Sequence, residues 1–176
     1  MELDQRWRLS ELNEAPRAEW VRVLGGVFEH SPQIAEEAWE GRPYGSVREL
    51  LEAMVGVVER GGEEAVVRLL RAHPDLGVRV EARAALTRAS AGEQAGAGLF
   101  ELGEEARSRL QGLNGLYRER FGFPLIICAR LNSVRTILEA LERRVGRERA
   151  EELKEAWGEV KKIAQLRLGD LIEGEG

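Results

Sequence analysis

Apolar residues at helical spacing are the feature that most constrains how this chain folds. Near the C-terminus they recur at every third or fourth position: Ala150, Leu153, Trp157, Val160, Ala164, Leu168 and Leu171. This period places apolar side chains on one face of an α-helix and polar side chains on the other. Similar patterns recur along the chain, and glycine or proline separates them. We therefore predict an all-α bundle of about seven helices.

Capping signals and helix breakers delimit the individual segments. The patterns cover about residues 17–28, 32–39, 46–59, 65–70, 104–121, 133–146 and 147–173. Ser46 and Glu49 have the spacing of a capping box, in which each side chain binds a main-chain N–H at the helix start. The Arg- and Ala-rich stretch 77–89 predicts a short helix or an ordered connection. The run Leu125–Ala129 is apolar but too short to identify as a helix, so we predict one short extended segment there.

The composition is that of a globular protein. Of the 176 residues, 43% are hydrophobic, 32% are charged and only 5 are proline, which argues against a disordered chain. This length fits one ordinary domain, so we predict a single domain over residues 1–176. In the run RERAEELKEAW, residues 147–157, basic and acidic side chains alternate, which is typical of a solvent-exposed helix face.

The net charge and the cysteine count limit which partners and which cellular compartment we expect for this protein. A net charge of −5 argues against nucleic acid, because binding to phosphate backbones requires clustered positive charge. No apolar run approaches the roughly 20 residues that cross a bilayer, and the N-terminal residues MELDQRWRLS lack a secretory core. Cys128 is the single cysteine, which suits a reducing compartment. We expect a cytoplasmic protein with no membrane partner.

Common cofactor and metal signatures are missing from the sequence. There is no Rossmann glycine motif, P-loop or nucleophile elbow, and no repeat of a solenoid. The two histidines and one cysteine lack the close spacing of a zinc site, and the Glu-x-x-His motifs of di-iron bundles are absent. We therefore predict no metal site.

The segment between His73 and Gln94 carries groups that suit acid–base chemistry. Pro74 disfavours helical geometry at His73, so we expect the imidazole just past a helix C-terminus, where it could simply cap the last carbonyl groups. Ser90 and Glu93 have capping-box spacing, which is also a structural role. A helix N-terminus is, however, a binding site for anions as well. Spacing alone leaves the structural and the catalytic interpretation open.

Several motifs occur in order along the chain. They are Phe28-Glu-His-Ser-Pro32, His73-Pro-Asp-Leu-Gly77, Ser90-x-x-Glu-Gln-Ala-x-Ala-Gly-Leu99, Phe121-Gly-Phe-Pro-Leu-Ile-Ile-Cys-Ala-Arg130 and Ile163-Ala-Gln-Leu-Arg-Leu168. Together they resemble the signature of the family of 2-oxo-4-hydroxy-4-carboxy-5-ureidoimidazoline (OHCU) decarboxylases, over nearly the whole chain. One departure is Gly77-Val-Arg79, where the family pattern has Gly-Lys-Ala, and it leaves a peripheral basic contact in question.

The resemblance implies an all-helical, cofactor-free homodimer that decarboxylates OHCU to (S)-allantoin during urate degradation. It places the catalytic histidine on His73 and its acidic partner on Glu93. The implied substrate contacts are Pro74, Ser90, Gln94, Leu125, Ile126, Ile127, Cys128, Ala129 and Arg130. Arg130 would offer a planar set of donors to an anion, whereas the Cys128 side chain is expected to belong to the core.

Two other interpretations stay open. The chain could be a non-catalytic helical interaction module, in which His73 and the Ser90–Glu93 pair are helix caps. It could also be an enzyme of the same fold that acts on another ureido acid. Formation of allantoin separates the first alternative from the decarboxylase, and a panel of substrates separates the second.

Overall fold

The computed structural model describes residues 5–78 and 80–174, and most of these residues are helical. They form nine α-helices: α1 (Leu9–Glu14), α2 (Arg17–Leu24), α3 (Pro32–Ala38), α4 (Val47–Arg60), α5 (Gly62–Arg71), α6 (Arg88–Gly96), α7 (Glu104–Phe121), α8 (Val134–Arg144) and α9 (Arg149–Leu171). Three 3-10 helices cover Trp39–Gly41, Val80–Ala85 and Ala129–Leu131. The described part of the chain contains no strand, only one isolated bridge between Trp7 and Ile172. The predicted all-α class is confirmed.

Capping residues and apolar periodicity in the sequence predicted the positions of most helices. The Ser46 Oγ accepts the Glu49 N–H at 3.1 Å, so the predicted Ser46 cap of α4 is confirmed. The Glu49 carboxylate accepts the Gly45 N–H at 2.7 Å instead of the Ser46 N–H that a capping box requires. Helix α7 has the predicted bounds and ends at Gly122, whose φ is 77°. About seven helices is an undercount, partly because α1 is only six residues long. Its N-cap position is Arg8 rather than one of the usual capping residues.

At two positions the structure departs from what local sequence rules favour. Ser31 is the N-cap residue of α3 and Pro32 follows it, but the Ser31 hydroxyl donates to the Glu29 carbonyl oxygen at 2.9 Å instead of capping the helix. Leu116 fits the apolar stripe of α7, yet it is 56% exposed, because the residues that α7 buries in that region are Asn114 and Tyr117.

The first compact unit comprises Met1–Leu69 and Lys161–Gly176. Within it α3 packs against α2 and α4, and the fully buried Trp20 donates its indole N–H to the Ala35 carbonyl oxygen at 2.7 Å. The buried Arg167 guanidinium lies 3.0 Å from the Glu29 carboxylate. These two residues belong to the first and last of the sequence motifs, which therefore contact each other inside this unit.

The second compact unit comprises Leu70–Val160. Helices α7 and α8 pack together in it, and Tyr117, Phe121 and Phe123 form an aromatic cluster with ring centroids 4.6 to 6.1 Å apart. All residues predicted to act on substrate lie in this unit. Among the described helices, none has the length and apolar character of a bilayer span. That residues 1–176 form a single domain stays a prediction.

Candidate active site

His73 lies in the turn that follows α5, as the sequence predicts. Helix α5 ends at Arg71, and the His73 N–H donates to the Leu70 carbonyl oxygen at 3.1 Å. The residue is only 7% exposed, and the adjacent Pro74 is half-buried. Buried polar groups almost always have hydrogen-bond partners, so this imidazole occupies a defined polar environment rather than solvent.

Gln94 connects helix α6 to the turn that follows His73. Its Nε2 donates to the Asp75 carbonyl oxygen at 3.1 Å, and its Oε1 accepts the Gly77 N–H at 2.9 Å. Gly77 has a φ of 67°, and a Cβ at this position would collide with the Leu110 side chain, so the turn requires glycine. Because Gln94 is 2% exposed, these hydrogen bonds hold the turn against α6 away from water.

Helix α6 begins one turn earlier than predicted. Thr87 is the N-cap residue, and its Oγ1 accepts the Ser90 N–H at 3.2 Å. The predicted capping box of Ser90 and Glu93 is therefore wrong, because the Thr87 hydroxyl already occupies the capping position. Ser90, Glu93 and Gln94 instead lie at positions i, i+3 and i+4 of the helix, which share one face. Gln94 directs this face towards the turn that carries His73.

The third predicted segment, residues 125–129, is buried, and its first four residues are non-helical. Its residues are between 1% and 7% exposed, and its last residue begins the 3-10 helix Ala129–Leu131, against which α6 packs. Cys128 has an extended backbone, so the predicted extended segment ends one residue earlier than expected, and no neighbouring strand pairs with it among the described residues. Helix α6 is thus in contact both with the turn that carries His73 and with the 3-10 helix that carries Arg130.

The environment of Cys128 supports its predicted place in the core. The side chain is 1% exposed, and burial raises the pKa of its thiol. The Leu131 N–H lowers this pKa, whereas the carboxylates of Glu159 and Glu93 raise it further. The electrostatic effect of Glu93 on the thiol indicates that the polar face of α6 and the 125–129 segment are neighbours.

Main-chain groups of the 125–129 segment are held on one edge. Arg144 Nη1 donates to the Ile126 carbonyl oxygen at 2.7 Å, the Cys128 N–H donates to the Glu159 carboxylate at 3.0 Å, and Asn132 Nδ2 donates to the Cys128 carbonyl oxygen at 2.9 Å. In an extended chain, alternate residues direct their N–H and C=O groups to opposite edges. Within the described residues, the main chain of Ile127 has no hydrogen-bond partner. Buried main-chain groups require partners, so Ile127 is suited to a ligand.

Arg130 differs from the other predicted site residues in its exposure. It lies in the 3-10 helix Ala129–Leu131 and is solvent-exposed, whereas His73, Ser90 and Gln94 are buried. An arginine at the surface beside a buried polar cluster is suited to meet an anion on its way in. The peripheral contact in question at Arg79 lies outside the described residues.

Sequence reasoning missed the charged residues that support this site. Glu152 is fully buried and Glu159 is 9% exposed. The solvated face predicted for residues 147–157 therefore does not include Glu152, although Glu148, Arg149, Glu151 and Lys154 are exposed as predicted. In the first half of α9 the buried positions are Glu152, Ala156, Glu159 and Val160. Their spacing of four, three and one residues is itself helical, and this was the available signal. Two of these four residues are glutamates, so the apolar pattern of the sequence assigned the buried face to Ala150, Leu153 and Trp157 instead.

The described part of the chain offers no cluster of three His, Cys, Asp or Glu side chains that could hold a metal ion. The polar groups around α6 are an imidazole, a hydroxyl, a carboxylate, a carboxamide and main-chain groups. This set is capable of proton transfer and of directed hydrogen bonds to a small polar molecule.

Comparison with known proteins gives a consistent assignment. The family model of OHCU decarboxylase matches residues 13–169. The 2-oxo-4-hydroxy-4-carboxy-5-ureidoimidazoline decarboxylase of Amia calva is 43% identical over 169 residues, which are 94% of this chain and 94% of the relative. That of Halalkalicoccus jeotgali is 40% identical over 166 residues, 94% of this chain and 92% of the relative.

A solved structure agrees with these sequence matches. The crystal structure of (S)-allantoin synthase superposes with a TM-score of 0.73 at 29% identity, over 95% of this chain and 55% of that chain. The family match covers all three segments around α6, from the turn of His73 to the 3-10 helix of Arg130. The chain belongs to the OHCU decarboxylase family.

Proposed function

We propose that this chain decarboxylates OHCU to (S)-allantoin in urate degradation, without a cofactor, and that His73 and Glu93 are its catalytic residues. The observation that carries the proposal is the pair of hydrogen bonds by which the Gln94 side chain donates to the Asp75 carbonyl oxygen and accepts the Gly77 N–H. These bonds join the turn of His73 to the helix face that carries Ser90 and Glu93. An imidazole and a carboxylate about twenty positions apart in sequence are therefore held by neighbouring elements.

The polar groups suit the substrate. OHCU carries a carboxylate and a hydroxyl on one ring carbon and a ureido group on the adjacent ring carbon, so recognition requires several directed hydrogen bonds rather than a large apolar pocket. The Ser90 hydroxyl and the Gln94 carboxamide supply side-chain contacts, and the N–H and C=O of Ile127 supply main-chain contacts. Pro74 and the apolar side chains of the 125–129 segment exclude water. Arg130 pairs with the substrate carboxylate from the exposed side.

The reaction needs proton transfer and little else from the protein. When the bond between the hydroxyl-bearing ring carbon and the carboxylate breaks, carbon dioxide leaves and the electron pair forms a double bond to the adjacent, ureido-bearing ring carbon, whose imine nitrogen takes up a proton. The substrate itself therefore provides the electron sink. The hydroxyl group then gives up its proton and becomes the ring carbonyl of allantoin, while His73 delivers a proton to one face of the ureido-bearing carbon, which sets the stereochemistry. Glu93 holds the hydroxyl or ureido group and orients the imidazole.

We also propose that the protein is a homodimer and that it is cytoplasmic. The family resemblance favours a homodimer. The buried free thiol of Cys128 suits a reducing compartment, which favours the cytoplasm.

A substitution at each of the two histidines tests the proposed function. OHCU is generated from urate by urate oxidase and hydroxyisourate hydrolase, and optical rotation follows the appearance of one allantoin enantiomer. His73→Asn is expected to lower turnover by about 10² to 10⁴-fold, the usual contribution of one acid–base group, with an unchanged helical circular dichroism spectrum.

His30→Asn is the matched control, because the His30 side chain is 55% exposed and its φ of 47° is one that asparagine tolerates. This variant is expected to keep wild-type turnover. Near-normal turnover in His73→Asn contradicts the role of His73. A wild-type protein that never accelerates allantoin formation favours a non-catalytic interaction module, and activity on a different ureido acid favours the same-fold alternative.

A further inference from the structure

A buried charged network lies behind the 125–129 segment. Arg144, Glu152 and Tyr117 are all fully buried. Arg144 Nε donates to the Glu152 carboxylate at 2.6 Å, the Tyr117 hydroxyl donates to the same carboxylate oxygen, and Arg144 Nη1 donates to the Ile126 carbonyl oxygen at 2.7 Å. The guanidinium therefore joins a buried carboxylate on α9 to the main chain of the segment.

Glu159 holds the same segment two residues further along. Its carboxylate accepts the Cys128 N–H at 3.0 Å. Glu152 and Glu159 are seven residues apart on α9, which is two helical turns, so both carboxylates lie on one face of the helix. One carboxylate acts through Arg144 on Ile126, and the other acts directly on Cys128.

Stability alone does not account for this arrangement. Removing two charges from water costs free energy that their attraction barely repays, and well-packed apolar residues often serve the fold as well. What apolar residues cannot supply is a donor for the Ile126 carbonyl oxygen and an acceptor for the Cys128 N–H. Ile127 lies between these two anchored groups, and its own N–H and C=O have no partner within the described residues.

We propose that Glu159 and the Arg144–Glu152 pair are positioning residues for the decarboxylation, which fix the main chain on both sides of Ile127 and so direct its N–H and C=O groups at the substrate. This inference rests on the proposed function, in which the 125–129 segment contacts OHCU. The effect on the reaction arises from geometry, because a displacement of about 1 Å at a binding group costs on the order of 10²-fold in rate.

Three substitutions on α9 test the inference. Glu159→Met keeps the length of the side chain but removes the acceptor for the Cys128 N–H, whereas Glu159→Gln keeps an acceptor oxygen and removes only the charge. Glu151→Met is the matched control, since Glu151 is 62% exposed and its ion pair with Arg147 is 3.7 Å long. Each variant is measured for KM and kcat per folded molecule, for its affinity for (S)-allantoin, and for hydrogen exchange at the Cys128 amide.

Glu159→Met is expected to raise KM and the allantoin Kd by about 10-fold or more, to lower kcat, and to accelerate exchange at the Cys128 amide. Glu159→Gln is expected to recover most of the lost affinity relative to Glu159→Met, and Glu151→Met to behave as wild type. A purely structural carboxylate would lower the folded fraction and leave KM and Kd of the folded molecules unchanged, which overturns the inference.

Two further outcomes keep the inference separate from the proposed function. If Glu159→Met does not fold, Glu159→Asp is measured in its place. Aspartate keeps the charge, but its shorter side chain moves the acceptor oxygen away from the Cys128 N–H by one methylene. A KM equal to that of the wild type within error would then contradict the inference. If the Cys128 amide exchanges faster in Glu159→Met while KM, kcat and Kd stay unchanged, the positioning role is wrong and the proposed function stands. A wild-type protein without OHCU turnover refutes the proposed function and, with it, the catalytic role of the anchors.

Discussion

The two compact units use the same polar interactions on different parts of the chain. In the first unit the buried Arg167 guanidinium lies 3.0 Å from Glu29 and also donates to the Gly26 and Val27 carbonyl oxygens at 3.2 and 3.4 Å. In the second unit the buried Arg144 guanidinium pairs with Glu152 and donates to the Ile126 carbonyl oxygen. Each guanidinium thus ties a main-chain segment to a buried carboxylate.

A second interaction also occurs in both units. The Asn13 carboxamide bridges the N–H and the C=O of Tyr44, with both distances 2.9 Å, as Gln94 bridges Gly77 and Asp75. The first unit contains none of the predicted site residues, whereas all of them lie in the second. The chemistry of such an interaction therefore does not reveal its role. What it holds in place decides whether it serves stability alone or catalysis as well.

The largest difference is expected when the two buried guanidinium groups are removed. Arg144→Met and Arg167→Met each remove the guanidinium group that pairs with a buried carboxylate, and breaking a buried ion pair destabilises a protein by about 3–5 kcal/mol. Urea denaturation should show losses of this size in both variants. KM for OHCU should rise only in Arg144→Met, because only this residue binds the 125–129 segment. A higher KM in the folded fraction of Arg167→Met would remove the functional distinction between the units.

The two bridging carboxamides give a smaller contrast. Gln94→Leu leaves the buried Gly77 N–H without an acceptor, and an unsatisfied buried group costs about 1–3 kcal/mol. Asn13→Leu should cost less, because Asn13 is only half-buried and water can replace the lost bonds. In steady-state assays kcat should fall for Gln94→Leu and stay unchanged for Asn13→Leu. Equal kcat values in both variants would show that the turn after His73 does not need its connection to α6.

The smallest difference between the units is expected when the hydroxyl of Tyr117 or Tyr44 is removed, and this difference in stability depends on pH. Burial raises the pKa of Tyr117, and the hydrogen bond from its hydroxyl to Glu152 raises this pKa further. Burial also raises the pKa of Tyr44. The Tyr44 hydroxyl donates to the Ala38 carbonyl oxygen at 2.5 Å. A pKa that is higher in the folded state gives stability that is present below the unfolded value of 10.0 and is lost as the pH rises above it.

Tyr117→Phe should therefore cost about 1 kcal/mol near neutral pH, and its disadvantage against the wild type should shrink above about pH 10. Tyr44→Phe should show a weaker pH dependence, since Tyr44 is half-buried and donates to a neutral carbonyl oxygen. Urea denaturation at two pH values measures both effects. A wild-type advantage over Tyr117→Phe that grows with pH would have the wrong sign for a raised pKa.

Local rules of sequence explain much of the fold. The bounds of α7 and the capping of α4 by Ser46 depend on residues within one or two turns, and they were predictable for that reason. The cap of α6 was assigned to Ser90 instead of Thr87, because both hydroxyl residues precede a helical pattern and spacing alone does not choose between them. The proposed site residues lie in family motifs and were predictable as a set, but their spatial arrangement around α6 was not.

The buried carboxylates Glu152 and Glu159 could not be predicted from the sequence. The sequence alone determined that the chain is helical, where most helices begin and end, and to which family it belongs, because periodicity, capping and motifs are properties of neighbouring residues. Only the tertiary structure decided that Glu152 and Glu159 are buried and that Gln94 joins α6 to the turn of His73. A carboxylate in an Arg- and Glu-rich helix has the same local sequence context whether it faces water or a buried guanidinium, and only the packing of distant segments determines which of the two it meets.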